Sequence, residues 1–283
     1  MAVLDFVQDK QITAWVQEQI YTTSQARMIF PTKTATGQSI LFPVASSGSA
    51  KAYTSGMDLV NTNVTSSNVT ITLDQSVYDM QNIDSVDNAK AAQAIVPQVS
   101  GTMGDTFARW VDQKAYLAVH VAAIAGGISS ATLFGTQAAP ITVDDATKLN
   151  TLLLNVRKAL VKKDIPLEKS FIVIPPELGT LAAQLSAASY RDGQNSAAFE
   201  NGFITKAFGV SIYESNNLPL LAAGKRGIIF GDKDAACIAI GFEQVQSGSS
   251  MPVKFGEYIA TVMNAGFGAN NPALVGAGCI VEA

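Results

Sequence analysis

Residues 99–125 read VSGTMGDTFARWVDQKAYLAVHVAAIA. Val99, Met103, Phe107, Trp110, Leu117, Val121 and Ile124 recur at steps of three, four or seven, the spacing of one face of an α-helix. Ala108, Val111, Ala115, Ala118, Val119 and Ala122 line much of the opposite side. A helix apolar on two sides packs on two sides, so this segment sets the frame for whatever lies before and after it. The helical pattern starts beyond the acidic turn Asp84-Ser85-Val86-Asp87, and Pro97 is expected to interrupt or kink it near its start.

Upstream, Leu4 to Ile20 reads as a short amphipathic helix with Phe6, Val7, Trp15, Val16 and Ile20 on its apolar stripe. Tyr21 to Gly37, rich in Thr and Ser and containing Pro31, lacks periodicity and reads as an extended arm. Ser39 to Ala45 (SILFPVA) reads as a strand, and Asn68 to Asp74 (NVTITLD) alternates with Val69, Ile71 and Leu73 on one face. Between them Ser46 to Ser67 is dominated by Ser, Gly, Ala, Thr and Asn, which makes the pair a long hairpin with a low-charge tip. Most loops in compact domains run about 4 to 6 residues. A tip this long has a role outside its own domain.

Downstream, Thr142 to Lys163 reads as a helix with Thr142 and Asp145 in a capping-box spacing, Lys158, Lys162 and Lys163 at its end, and Leu149, Leu152, Leu153, Val156 and Leu160 facing the core. Phe171 to Ile174 is a buried strand, and Pro175-Pro176-Glu177 opens a helix through Leu185. A polar loop, Ser186 to Gly202, precedes short strands at Val210 to Glu214, Gly227 to Phe230, Cys237 to Phe242, Tyr258 to Asn264 and Cys279 to Glu282. Helices and strands alternate without regular βαβ spacing, which argues for an α+β fold.

The composition narrows the function classes. The chain has 283 residues, 48% hydrophobic and only 15% charged. An ordinary charged share of about 25% would give roughly 71 Asp, Glu, Lys and Arg; this chain has 19 basic and 23 acidic. The apolar share excludes global disorder. The nearly uncharged run Tyr116 to Ile128 is too short and too alanine-rich for a membrane span, which needs about 20 apolar residues. Asp5 and Asp9 stand where a signal peptide would be basic, so no export signal is expected. Cys237 and Cys279 are too few for a disulfide framework and suit a reducing compartment. The net charge of -4, with no basic run beyond Lys162-Lys163, leaves at most weak contact with nucleic acid. A surface poor in charge is one hidden against something, most simply further copies of the chain.

The chemical inventory is nearly empty. His120, the one histidine, sits in YLAVHVAAI with no Ser or Cys at helical spacing, and reads as structural rather than as a general base. His120, Cys237 and Cys279 lack the paired spacing of a zinc site. Gly266-Phe267-Gly268 lacks the third glycine of a dinucleotide fingerprint and reads as a strand bend. Asp144 and Asp145 suit a helix start, and Asp232 and Asp234 suit a turn. Trp15, Phe42, Tyr53 and Trp110 are not interleaved with basic residues, so no base-stacking platform is indicated. No cofactor or metal is expected, and the absence points to a structural protein.

Three stretches in order, NVTITLDQSVYDMQNIDSVDNAKAAQ (68–93), GDTFARWVDQKAYLA (104–118) and KSFIVIPPELGTLAAQL (169–185) followed by GFITKAFGVSIYESNNLP (202–219), resemble the major capsid protein of tailed bacteriophages, the Hong Kong 97-type fold. They correspond to the passage from hairpin to long helix with its aromatic-acidic turn and Ile-Asp pair, to the spine helix with an Asp that here is Asp112, and to a strand, a Pro-opened helix and the Ser215-Asn216-Asn217-Leu218-Pro219 turn. The C-terminal NAGFGANNPALVGAGCIVEA departs, with Pro-Ala-Leu where the family tends to have a basic residue and Pro-Glu.

The resemblance implies an N-terminal arm (1–36), an extended hairpin or E-loop (37–74), a peripheral domain with the spine helix (75–142 and 232–262) and a mixed α/β axial domain (143–231 and 263–283). It implies self-assembly, in hexamers and pentamers, into an icosahedral shell around double-stranded DNA, located in the virion and assembled in the host cytoplasm. A separate scaffolding protein or a processed chain, a portal and a decoration protein would be its partners, with DNA held by weak non-specific contact and no membrane. Trp15, Phe42, Lys51, Tyr53, Met57 and Leu59 are the expected inter-subunit contacts, Lys51 being the lysine available for a cross-link or, more simply, for solubility. The competing readings are an encapsulin-type bacterial compartment, which shares the fold and encloses cargo enzymes, and a hydrolase or transferase with an atypical site that would depend on His120.

Overall fold

In a computed structural model the chain is described over residues 2–34, 37–45, 66–84, 95–189, 203–249 and 256–281, with 52, 54, 55 and 57. Five helices lie in these segments: α1 (Ala2–Thr23), α2 (Gln25–Ile29), α3 (Ile95–Gly126), α4 (Ala146–Val161) and α5 (Pro176–Ser189). A two-stranded hairpin joins β2 (Ser39–Ala45) to β3 (Ser66–Thr72). A four-stranded sheet has the order β1-β11-β12-β4, formed by Thr32–Thr34, Ala236–Ser249, Gly256–Ala269 and Gln75–Asp84. A seven-stranded sheet runs β5-β13-β10-β6-β8-β7 with β9 against β10, from Ile141–Thr142, Val275–Val281, Lys225–Asp232, Ser170–Ile174, Val210–Glu214, Phe203–Ala207 and Leu220–Ala222. The mixture bears out the α+β expectation.

Helix α3 shares one core with both sheets. Met103, Phe107, Val111, Tyr116 and Val119 of α3 pack with Ile12, Val16 and Ile20 of α1, with Ile238 and Ile240 of β11, and with Phe171, Val173 and Ile229 of the larger sheet. A second core fills the opposite face of that sheet, where Leu149, Leu153, Val156 and Leu160 of α4 and Leu178 of α5 meet Ile172, Ile174, Ile228 and Phe230. Successive residues of a strand point to opposite faces. The run Phe171-Ile172-Val173-Ile174 is therefore continuously apolar because its sheet is covered on both sides.

Several expectations change. Tyr21 to Gly37 is not an extended arm: Ser24, Ala26, Ile29 and Phe30 are buried, α2 interrupts the segment, and β1 joins β11 in parallel. Pro97 does not interrupt α3, because it occupies the first turn, where its missing N–H has no intrahelical partner to lose. Thr142 pairs in β5, and α4 starts later with Asp145 itself as the cap, its carboxylate accepting from Lys148 N at 2.7 Å. Within 68–93, where the resemblance implies an aromatic-acidic turn, the stretch around Tyr78 is strand β4, paired with β12 from Gln75 to Asp84. The expected boundary between 262 and 263 falls inside β12, whose whole length pairs in the smaller sheet. Residues 85–94, most of the hairpin tip, and 190–202 of the expected polar loop lie outside the described residues.

The Gly266-Phe267-Gly268 stretch is strand interior rather than a bend. Phe267 faces inward and meets Trp110 edge-on at 5.8 Å. On the outer face the two glycines stand beside Ala239 and Cys237 in the β11 ladder, making a strip of small residues on which the hairpin base lies through Phe42 and Ile71. A Cβ at Gly266 would collide with the Thr72 carbonyl, and one at Gly268 with Ile71 Cδ1. Replacing Gly266 by Val should therefore lift the hairpin and cost about 1–3 kcal/mol. Urea unfolding of the unassembled chain checks this, and an unchanged midpoint would contradict the close approach.

Candidate functional site

The sequence left two things to place, its polar residues and its apolar surface. Among the polar residues Asp112 stands out, a carboxylate in the middle of α3 that is only 4% exposed. Its Oδ1 accepts from Ser24 Oγ at 2.7 Å and Ala26 N at 2.9 Å, and its Oδ2 from Gln25 N and Asn217 Nδ2, each at 3.3 Å. Asp112 thus caps α2 from another helix, supplying acceptors to N–H groups that the start of α2 leaves without partners. One turn on, Tyr116 OH donates to Gln25 Oε1 at 2.8 Å, and Gln25 Nε2 donates to the Glu214 carbonyl at 2.9 Å. The cluster joins the N-terminal segment, α3 and the end of β8.

The turn Ser215-Asn216-Asn217-Leu218-Pro219 owes its residues to this junction. Asn217 reaches Asp112, Leu218 enters the main core, and the Pro219 carbonyl accepts from Gly227 N at 2.8 Å. Burial pushes the Asp112 carboxyl above the usual carboxylate range, and the hydrogen bonds from Ser24, Ala26, Gln25 and Asn217 pull it partly back. A second tie lies nearer the start of α3, where Asp105 Oδ1 accepts from Gln19 Nε2 at 2.8 Å and from Thr23 Oγ1 at 3.2 Å.

The other polar candidates hold the fold. His120 is buried against Gly227, and its imidazole lies below its usual pKa because burial disfavours the cation. Cys237 and Cys279 are free and buried, with the Cys237 thiol pushed up to about 12 by burial. Asp144 pairs with Lys148 at 2.7 Å and Asp234 with Lys169 at 2.6 Å, both at the surface. Asp232 accepts from Asp234 N within its turn. Among the described residues no cluster of His, Cys, Asp and Glu is placed to hold a metal ion, and no helix is long and apolar enough to cross a membrane.

Of the expected contact residues, Trp15 on α1 and Met57 are exposed, whereas Lys51, Tyr53 and Leu59 lie outside the described residues. Phe42 differs from Trp15 and Met57 within the single chain. It is 3% exposed because its ring is pressed between the small-residue strip and the Lys33 ammonium, 4.5 Å from the ring centre, and its neighbour Leu41 faces out instead. Leu117, Val121 and Ile124, expected on a packed face of α3, are exposed as well. Asp112 was legible in the sequence as the Asp that the family resemblance places in the spine helix, but its partners lie too far along the chain for spacing to reveal them.

Removal of the Asp112 carboxylate by Asp112→Ala should cost about 1–3 kcal/mol in urea unfolding, since buried donors lose their acceptor. The pH dependence has a definite sign. Burial gives the folded carboxyl a higher pKa than the unfolded one, so the native state holds more proton between the two values. The Asp112 contribution is then complete below the unfolded pKa of about 3.9 and is lost as pH rises through the folded value. The stability of wild type relative to Asp112→Asn should accordingly shrink with rising pH, and a difference that grew would contradict it.

Comparison with known proteins places the arrangement. The model of a family described as phage capsid protein matches residues 82–273. The capsid of the cyanophage P-SCSP1u superposes with a TM-score of 0.61 at 19% identity, over 90% of this chain and 87% of that one. A structure from Mycobacterium phage Che8 gives 0.59 at 18% identity, over 85% and 84%. A virus-like particle from Pyrococcus furiosus gives 0.55 at 10% identity, over 96% and 99%. No match is found among curated protein sequences.

Proposed function

The chain belongs to the phage capsid protein family, and we propose how its parts divide the work of building a shell. It is a major capsid protein with the Hong Kong 97-type fold, and copies of it assemble into the capsid of the virion. The observation that carries this is the family match over 82–273, which runs from the end of β4 through α3 and most of both sheets. The fold alone would also suit a virus-like particle, and the family match favours the phage shell over a compartment for cargo enzymes. A capsid family implies a non-enzymatic role.

In the proposed division the hairpin, residues 37–74, lies across a neighbouring subunit, and the N-terminal segment presents Trp15 to another. Exposed Trp15, Leu41 and Met57 supply apolar contact area, to which Lys51, Tyr53 and Leu59 add. The smaller sheet with α3 forms the peripheral domain and the larger sheet with α4 and α5 the axial domain. Keeping each sheet whole assigns residues 256–269 to the peripheral side. Hexamers and pentamers of this unit close an icosahedral shell around double-stranded DNA, and the net charge of -4 suits weak contact with the packaged genome. A scaffolding protein guides closure in the host cytoplasm, a portal admits the DNA, and a decoration protein is a further partner.

Electron microscopy of the purified protein should reveal closed shells of megadalton size. Deleting Ser46 to Ser66 should leave a chain that melts as wild type does but forms no shells, and normal particles from the deletion would sink the hairpin's assigned role.

A further inference from the structure

Helix α4 and its C-terminal cap carry cations and no acid: from Ala146 to Lys163 the sequence has Lys148, Arg157, Lys158, Lys162 and Lys163, and neither Asp nor Glu. Lys148 is tied back to Asp144, ahead of the helix. Arg157, Lys158, Lys162 and Lys163 are exposed, and among the described residues none of them meets a carboxylate at ion-pair distance. The acids that come next in the chain, Asp164 and Glu168, lie beyond the helix end and are exposed as well.

Leu149, Leu152, Leu153, Val156 and Leu160 turn one side of α4 toward the core of the larger sheet. On the opposite side Thr147, Thr151, Leu154, Lys158 and Val161 follow one another at steps of three and four, so they form one solvent-facing stripe, with Arg157 and Lys162 to either side. Leu154 is 43% and Val161 50% exposed, and a separation of seven residues sets them about 10 Å apart along the axis.

Cations in the last turn suit the negative end of a helix, and that accounts for a lysine or two. It does not account for the missing acids, because a helix face built only for water interleaves both signs. Nor does it account for two branched apolar side chains set among the cations. Duplex DNA would bring the complementary charge, but its phosphates offer nothing apolar to Leu154 and Val161. An acidic helix supplies both: apolar side chains at the same seven-residue interval meet Leu154 and Val161, and flanking carboxylates meet Arg157, Lys158 and Lys162. The helices of this chain do not present that pattern. Ile12, Val16 and Ile20 of α1 are already packed on α3, α2 has no acid, Asp105 and Asp112 of α3 are engaged with the N-terminal segment, and α5 has Glu177 alone.

We propose that the outer face of α4 docks an acidic amphipathic helix of a different protein. The proposal goes beyond the capsid reading and does not depend on it.

The probe is a fluorescent synthetic helical peptide with Leu at the seven-residue interval and Glu on both sides of that row. Fluorescence anisotropy against the purified full chain should show saturable binding that weakens with added salt. The pair Lys158→Glu and Lys162→Glu, and the pair Leu154→Ser and Val161→Ser, should each keep the wild-type melting temperature and lose at least tenfold in affinity. The same peptide with Ser for Leu should bind the wild-type chain at least tenfold more weakly. Absence of saturable binding, a Ser peptide that binds equally well, or a double variant that binds as wild type does overturns the proposal. A DNA duplex that binds more tightly than the peptide assigns the face to nucleic acid and overturns it too. The lysine pair variant should also form shells at wild-type yield; if it melts as wild type does and forms none, the face is an interface between copies and the proposal falls. A wild-type chain that forms no shells removes the capsid reading alone, and peptide binding still decides this one.

Discussion

The two oxygens of Asp112, on α3, gather donors from two chain segments far from it in sequence: Ser24, Gln25 and Ala26 at the start of α2, and Asn217 beyond β8. A carboxylate out of water tolerates little misplacement, because each oxygen needs its donors within hydrogen-bond reach. That demand fixes where the N-terminal segment crosses α3 and where the turn after β8 meets both. The surrounding contacts follow from it, including Phe30 edge-on to Phe171 at 5.2 Å and to Tyr116 at 6.4 Å. Apolar packing of α1 and the sheets on α3 supplies most of the driving force for folding, and the polar junction decides the angle and register at which that packing occurs.

What the sequence could tell followed the range of the forces involved. The strand at Phe171 to Ile174 and the core face of α4 were legible because each answers to a local period, two for the strand and about 3.6 for the helix. Strand β4 escaped because its pattern is reversed: Tyr78 and Met80 point to solvent, and the half-buried positions include Asp79 and Gln81. The N-terminal segment 24–30 escaped for a different reason, being too short for any period and buried only by residues that arrive from α3 and the sheets. The order of parts, in contrast, was visible from 68 to 219 through the family's motifs.

The scarcity of charge also resolves into places. Some of it belongs to the interior, in β6 and on the inner faces of β10 and β13. Some serves close approach, in the outer strip of Cys237, Ala239, Gly266 and Gly268. The rest is surface, on the outer side of α3 beyond Lys114 and around β9. Periodicity alone assigned Leu117, Val121 and Ile124 to the core, because an apolar helix face left at the surface has the same spacing as one packed inside the chain.

The small-residue strip has a mechanical meaning. Strands β2 and β3 pair only with each other, from Ser39 with Thr72 to Ala45 with Ser66, and the base of this ribbon rests on bare backbone at Gly266 and Gly268 as on a bearing. Dispersion holds it there without preferring a direction. Lys33 acts as a fastener, its ammonium donating to the Leu41 carbonyl at 3.1 Å while lying over the Phe42 ring. Because Lys33 belongs to β1, the edge strand that runs parallel to β11, the hairpin base is tied to the rim of the smaller sheet as well as seated on its face.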